Sequence, residues 1–398
     1  MKPLEIIIVG AGMYVCGKGT EGYGTILPAV FEAWRGGMIK KIHIAAATQK
    51  GAEQVHRKAA ELKKIMGVTP DIIYYPSDRD DPSAYQAAIS SVTGPAAALI
   101  SVPDHLHFEI TAYCLEHDLH VQVVKPLVPT VKETLDLIAL QKRHRVHGVV
   151  EFHKRFDEAN LKLFDLIKDN TLGELLNFRI NFSQRKIIPT RVFRSWVETT
   201  DVFQYLGVHY VDLIHFLTNA QPKRVMTVGL KKYLSTQGVD NYDTMQTLIE
   251  WRHRGSTFLS SHLTGWIDPD SSSAMSDQRL EVIGTKGRYQ SNQKSRGVTL
   301  STDDRGVEEI NPYFCQFYPD IDGHGKRAQG YGPRSIIQFL QDTRRVIEEG
   351  KDPVELTGLR ATFASSLPVS AVLEASNQSL NNENGWVEVA RIIKEAKQ

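Results

Sequence analysis

Four residues at helical spacing raise the first chemical question. Read as a helix over 201–217, the chain puts Asp201, Tyr205, His209 and Asp212 within about 80° of one another. An imidazole, with an ordinary pKa of about 6.5, suits proton transfer near neutrality. His209 is therefore a candidate base, although a histidine on an amphipathic helix is also an ordinary core residue. Asp212, one turn on, orients it or caps local structure. Tyr205, one turn earlier, offers either a phenolic proton relay, with an ordinary pKa of about 10, or a packing wall for a substrate.

A second constellation is rich in glycine. Val9-Gly10-Ala11-Gly12 directly follows a short β-branched run. In a dinucleotide fold the first glycine makes the tight turn and the second lets the backbone approach a pyrophosphate. Gly10 and Gly12 are the candidates here, with Met13 and Tyr14 opening the segment whose N-terminus faces the anion. A plain glycine turn is the alternative. The third glycine position holds Val15, and Gly17, Gly19, Gly22 and Gly24 follow before helical pattern returns near Thr25-Ile26-Leu27-Pro28. The loop is thus expanded, and 17–24 either touches phosphate or is a flexible insert. The second strand ends Ala45-Ala46-Ala47-Thr48-Gln49-Lys50, with Thr48 where an acid usually binds the adenosine ribose. Without a carboxylate there, and with Lys50 nearby, NADP is permitted and slightly favoured. The alternative is NAD with Thr48 as a weaker partner.

Two further clusters carry less. Arg185, Lys186, Arg191 and Arg194 could meet a substrate carboxylate or phosphate. A solvated loop or an oligomer contact accounts for them better. The pairs His105/His107, His117/His120 and His144/His147 come without HExxH or a cysteine cluster, so no metal site is expected.

These residues need elements to position them. Strand patterns at 6–9, 41–47, 96–102, 121–124 and 146–151 alternate with helical stretches at 27–35, 52–66, 82–91, 108–116 and 131–143. Such alternation means βαβ units and a parallel sheet. After about residue 155 the period becomes two, at 176–183 and 244–251, with more strands at 223–230, 256–263, 278–283 and 288–292. One covered and one free face points to an antiparallel sheet. Helices return at 334–349 and 357–376. The 398 residues exceed the ~250–300 at which one core stops growing. Two domains are expected, 1–150 for dinucleotide and 151–398 for substrate and oligomerisation, with the final helices packing back on the first.

The net charge of +1 excludes a strongly basic nucleic-acid binder. Cys16, Cys114 and Cys315 form no CxxC pair and no disulfide framework, which fits a reducing compartment. The first apolar run is too short for a signal peptide, and no window approaches the roughly 20 apolar residues of a membrane span. A soluble, cytoplasmic protein is expected.

Val102-Pro103-Asp104-His105-Leu106-His107 and Val123-Val124-Lys125-Pro126 resemble the P-N-x-x-H and E-K-P signatures of the Gfo/Idh/MocA oxidoreductase family. Phe152-His153-Lys154-Arg155-Phe156-Asp157 is similar to its R-F-D-P segment. Gly207-Val208-His209-Tyr210-Val211-Asp212 is similar to its G-x-H-x-x-D, and Val282-Ile283-Gly284-Thr285-Lys286-Gly287 to its I-G-T-x-G strand. The matches span nearly the whole chain.

The resemblance implies an α/β protein: an N-terminal Rossmann domain with a doubly wound parallel sheet, then an α/β domain with a large, open, mainly antiparallel sheet. It implies NAD or NADP as cofactor, with Val102, Pro103, His107 and Lys125 near it. It also implies hydride transfer at a secondary alcohol of a sugar or cyclitol. Lys125 would hydrogen-bond the reacting hydroxyl, and Trp196 matches a family position near the substrate. Arg155 either meets the cofactor or substrate or forms a surface salt bridge. Family members commonly form dimers or tetramers through the open sheet face. The chain departs from the family pattern G-G-G-x-x-x-D-x-G-x-H: Thr199-Thr200-Asp201 replace the glycines and Tyr205 the aspartate. Lys125 and His209 remain as the catalytic minimum. Two other readings stay open. One is a tightly bound cofactor that serves glycoside hydrolysis or rearrangement through a transient keto intermediate. The other is a non-catalytic sugar sensor.

Overall fold

The computed structural model describes residues 3–398. The chain forms two compact units and passes between them repeatedly. The first comprises the chain up to Leu127, Leu135–Phe156 and Tyr313–Ala364; the second comprises Val128–Thr134, Asp157–Pro312 and Ser365–Gln398.

The first unit begins with β1 (Leu4–Val9), α1 (Met13–Cys16), α2 (Ile26–Arg35), β2 (Ile39–Ala45), α3 (Gln49–Met66), β3 (Ile72–Tyr75) and α4 (Ala84–Ser90). It continues with β4 (Ala96–Ile100), α5 (His107–Glu116), β5 (His120–Val124), α6 (Val131–His144), whose first residues through Thr134 belong to the second unit, and β6 (Gly148–Glu151). The six strands lie in the order β3-β2-β1-β4-β5-β6, and every neighbouring pair is parallel. This is the doubly wound order, whose ligands bind outside the carboxyl ends of the strands. β1 is buried along its whole length, as a strand covered on both faces must be. α3 starts on a capping interaction: the Thr48 hydroxyl accepts from the Gly51 N–H at 3.0 Å.

The second unit is built on α7 (Glu158–Lys168), β7 (Leu175–Arg185), α8 (Val208–Thr218), β8 (Gln221–Leu230), α9 (Tyr233–Thr236), β9 (Thr244–His253) and β10 (Ser256–Asp268). β11 (Ser276–Gly284), β12 (Arg288–Asn292) and the hairpin β13 (Thr299–Thr302) and β14 (Gly306–Glu309) follow. The chain then returns to the first unit with the hairpin β15 (Gln316–Pro319) and β16 (Lys326–Gln329) and with α10 (Tyr331–Glu349). It ends in the second unit with α11 (Leu367–Asn381), β17 (Val387–Glu388) and α12 (Val389–Glu395). The seven-stranded sheet has the order β12-β11-β7-β10-β9-β8-β17. All its pairs are antiparallel except β7–β10. Its alternation is clean on β10: Phe258, Ser260, His262 and Thr264 are buried, while Leu259 and Leu263 face out. α11 covers the inner face through β8, where Ser376 and Ser379 hydrogen-bond Thr227.

Several elements depart from the sequence expectation. β3 went unread because it is a four-residue edge strand, half-buried throughout. α7, α12 and the two hairpins were also missed. The last long helix starts at Leu367 rather than 357, because 353–355 and 364–366 form separate 3-10 turns. The continuous α-helix expected over 201–217 is a wide π turn, Phe203–Gly207, followed by α8. The Phe203 ring lies over Gly207, where a Cβ would come within 2.2 Å of it, so packing at this turn overrides the simple period of 3.6. Of the final helices, α10 packs on α2 in the first unit, while α11 and α12 belong to the second.

Candidate functional site

In the first unit the candidate residues gather at the carboxyl ends of the parallel strands. Gly10 leaves β1 with φ +125°, and a Cβ there would lie 2.0 Å from the Ser101 carbonyl oxygen after β4. Only glycine fits so close an approach. A Cβ on Gly12 would meet nothing within 4 Å, so the backbone there borders open space. Met13 and Tyr14 begin the single turn α1, whose first N–H groups have no partner within the helix. The 17–24 insert folds back on itself. Thr25 N–H donates to the Tyr14 carbonyl at 2.7 Å, and Lys58 of α3 reaches the Gly22 carbonyl at 2.9 Å. A close glycine turn and open space beside it are the shape a pyrophosphate requires.

Past β4, Val102 and Pro103 lead into α5. His107 is buried, with Nε2 3.0 Å from the Val102 carbonyl and Nδ1 2.8 Å from that of Pro126. It pins the segment after β4 to the segment carrying Lys125. Lys125 follows β5 directly and is 7% exposed. Burial pushes its ammonium down to about 8, and the carboxylates of Asp104 and Glu151 pull the other way. Glu151 closes β6, opposite Val124 in the register. Its carboxylate lies 3.0 Å from His153 Nδ1 and accepts from the Ser335 hydroxyl. The Tyr14 hydroxyl sits 3.2 Å from the same His153 nitrogen. Burial raises the proton affinity of Glu151, but His153, Ser335 and Tyr14 outweigh it and keep the carboxyl below its ordinary range. The glycine loop and β6 are thereby joined by one buried polar cluster, which no sequence signal announced. Arg155 is buried, donates to the Leu359 carbonyl at 3.4 Å and lies over the Phe152 ring.

The second unit holds the other candidates. His209 is the second residue of α8, buried, with its ring 6.1 Å from that of Phe182. Tyr205 lies in an aromatic cluster with Phe193 at 4.9 Å, Trp266 at 5.7 Å and Trp196 at 6.0 Å between ring centres. Trp266 and Phe193 were not singled out in the sequence. The cations of the 185–194 loop are mostly engaged locally. Arg185 donates to the Ala274 carbonyl at 3.1 Å, Lys186 lies over the Tyr233 ring, and Arg194 donates to the Gly238 carbonyl at 2.8 Å.

The histidine pairs are dispersed. His117 meets the Tyr113 carbonyl, His144 the Asp118 carboxylate at 2.9 Å, and His120 accepts from the His147 N–H. Among the described residues no group of three or more His, Cys, Asp or Glu side chains is placed to hold a metal. No helix among them is long and apolar enough to cross a membrane.

The fold and the glycine turn define a dinucleotide-binding α/β protein. The comparisons specify it further. Residues 4–152 match the oxidoreductase family model described as an NAD-binding Rossmann fold, and residues 160–290 match the C-terminal domain of the same Gfo/Idh/MocA family. The chain belongs to the Gfo/Idh/MocA oxidoreductase family. It is 23% identical over 239 residues to an uncharacterized oxidoreductase of Schizosaccharomyces pombe, covering 56% of this chain and 62% of that one. It is 23% identical over 214 residues to a myo-inositol 2-dehydrogenase of Thermotoga maritima, covering 53% and 60%. The chain thus spans about six-tenths of the length of these curated relatives. A crystal structure of scyllo-inositol dehydrogenase from Lactobacillus casei, with NAD(H) and scyllo-inositol bound, superposes with a TM-score of 0.68 at 17% identity. That likeness covers 98% of this chain and 100% of that one, and it concerns the fold.

Proposed function

We propose that this chain is an NAD(P)-dependent dehydrogenase of a secondary alcohol in a cyclitol or sugar, with Lys125 and His209 handling the proton. The observation that carries the reading is Lys125. It is a buried lysine at the carboxyl end of a doubly wound strand, inside the module that matches the family's NAD-binding domain. Gly10, Gly12, Met13, Tyr14, Thr48, Lys50, Val102, Pro103 and His107 would hold the cofactor. When bound, the cofactor accepts the hydride from the carbinol carbon.

The chain's own residues manage what remains. Lys125, brought down to about 8, exchanges a proton near neutrality and hydrogen-bonds the reacting oxygen. His209 takes the proton of the hydroxyl. Tyr205 and Trp196 present aromatic faces suited to the C–H face of a polyol ring, and Arg155 is the remaining substrate candidate. Relatives named inositol 2-dehydrogenase support a cyclitol as the substrate class. The free face of the second sheet exposes Val228, Leu230, Leu259 and Leu263 at 37–52%. An apolar stripe of this kind supports a homodimer or homotetramer.

The test is a panel of inositols, sugars, sugar acids and glycosides with NAD and NADP, followed at the absorbance band of the reduced nicotinamide. Turnover of a cyclitol or sugar is expected, falling by roughly 10²–10⁴ in Lys125→Ala and in His209→Ala. Cofactor binding without turnover of any polyol, or unchanged turnover in both variants, would sink the proposal.

A further inference from the structure

We infer that Asp80 supplies the carboxylate missing from the end of β2 and sets a preference for NAD over NADP. The inference rests on the dehydrogenase reading above. In the sequence Asp80 belongs to a different loop from Thr48, and topology brings the two together. β3 runs parallel to β2 with Tyr75 opposite Ala45, so the loops leaving both strands emerge at one end of the sheet. Ala46 N–H donates to the Tyr75 carbonyl at 2.9 Å, and Asp81 N–H to the Ala47 carbonyl at 3.2 Å. Asp80 Oδ1 then accepts from the N–H of Gln49, the first residue of α3, at 2.8 Å.

The start of α3 also borders the glycine loop. A Cβ on Gly51 would lie 3.1 Å from Thr48 Oγ1 and 3.6 Å from the Ala11 Cβ. The space between the glycine loop and the end of β2 is where a doubly wound sheet receives the adenosine ribose. The Thr48 hydroxyl there is already accepting from Gly51. Asp81 Oδ1 accepts from Ser83 N–H at 2.8 Å, which leaves Asp80 as the carboxylate held against the helix start. Asp80 is exposed, and its Oδ2 has no hydrogen-bond partner among the described residues.

The chemistry separates the two cofactors. A carboxylate accepts hydrogen bonds from the two free hydroxyls of an unphosphorylated ribose. A 2′-phosphate offers it only acceptors and sets like charge against like. Two cations could serve a phosphate: Lys50, which follows Gln49 in sequence, and Arg79, which precedes Asp80. Neither forms an ion pair among the described residues, whereas Asp80 is fixed to the backbone of α3.

The experiment is calorimetric titration of the wild-type protein and of Asp80→Asn with NAD and with NADP, thermal melts confirming that both proteins are folded. Asp80→Asn keeps an acceptor for the Gln49 N–H and removes the charge. The wild type is expected to bind NAD at least about tenfold more tightly, and Asp80→Asn to narrow that ratio by about tenfold. Asp80→Arg is expected to carry it further toward NADP. An unchanged ratio in Asp80→Asn, with both nucleotides still binding, overturns this inference alone, as does a wild type that favours NADP. Binding of neither nucleotide by the wild type overturns the dehydrogenase reading as well.

Discussion

Burying Lys125 carries a cost in stability. Its ammonium titrates near 8 in the folded protein against an ordinary value of 10.5, chiefly through burial. The folded state therefore binds fewer protons than the unfolded state between these values. Stability is reduced below pH 8 by up to about 3 kcal/mol, and the penalty fades as pH rises through 10.5. Lys125→Met keeps the aliphatic stem and removes the charge. Urea unfolding at pH 7 should show the variant more stable by about 2 kcal/mol, with the gap closing above pH 10. A variant less stable than wild type at pH 7 would show that Asp104 and Glu151 stabilise the ammonium more than burial destabilises it. Neither carboxylate could be connected to Lys125 from sequence. Asp104 stands in a turn and Glu151 in the next strand, and only the parallel register of β5 and β6 makes Glu151 a neighbour.

At the scale of elements, three strand-associated histidines make the molecule sensitive to acid. His120 on β5 and His147 just before β6 are brought down to about 4, and His262 on β10 to about 3, all chiefly by burial. Each is neutral in the folded state and takes up a proton on unfolding below about pH 6.5. Stability therefore falls from pH 6.5 toward 4, by at most about 1.4 kcal/mol per pH unit for each histidine. His147 stacks on Phe339, and among the described residues neither ring nitrogen has a hydrogen-bond partner, so His147→Leu should remove one proton's share of that slope. Equal slopes for variant and wild type between pH 6 and 4.5 would contradict the assignment. The same elements measure what pattern reading could reach. β1, β2, β4, β5 and β6 were legible because short, largely buried apolar runs alternating with helical stretches are strong local signals. β3 was not, since four half-buried residues carry little periodicity. The turn at Phe203–Gly207 was not legible either, because a ring packing over a glycine is a tertiary event.

At the scale of the whole molecule, the free face of the seven-stranded sheet carries the apolar stripe on which the proposed oligomer rests. Val228 and Leu263 lie in one row across β8, β9 and β10, through Gln246. The double variant Val228→Glu/Leu263→Glu places charge in that row without touching the buried face. Light scattering should report an oligomer for the wild type and the 44.7 kDa monomer for the variant, with an unchanged far-ultraviolet circular dichroism spectrum. A wild-type monomer at micromolar concentration would show that this face works uncovered.

Pattern along the chain is enough for the class of the molecule. Strand–helix alternation, the glycine turn after β1 and the motifs around Lys125 and His209 are local, and local signals survive without a fold. It also determined that Thr48 stands where an acid is usual. What stands beside it depends on strand pairing. Parallel pairing of β2 and β3 brings Asp80 onto the N–H of Gln49, and parallel pairing of β5 and β6 brings Glu151 toward Lys125. Parallel strands are neighbours in space but are separated in sequence by a whole crossover, so the charges they share at their carboxyl ends cannot be read from spacing.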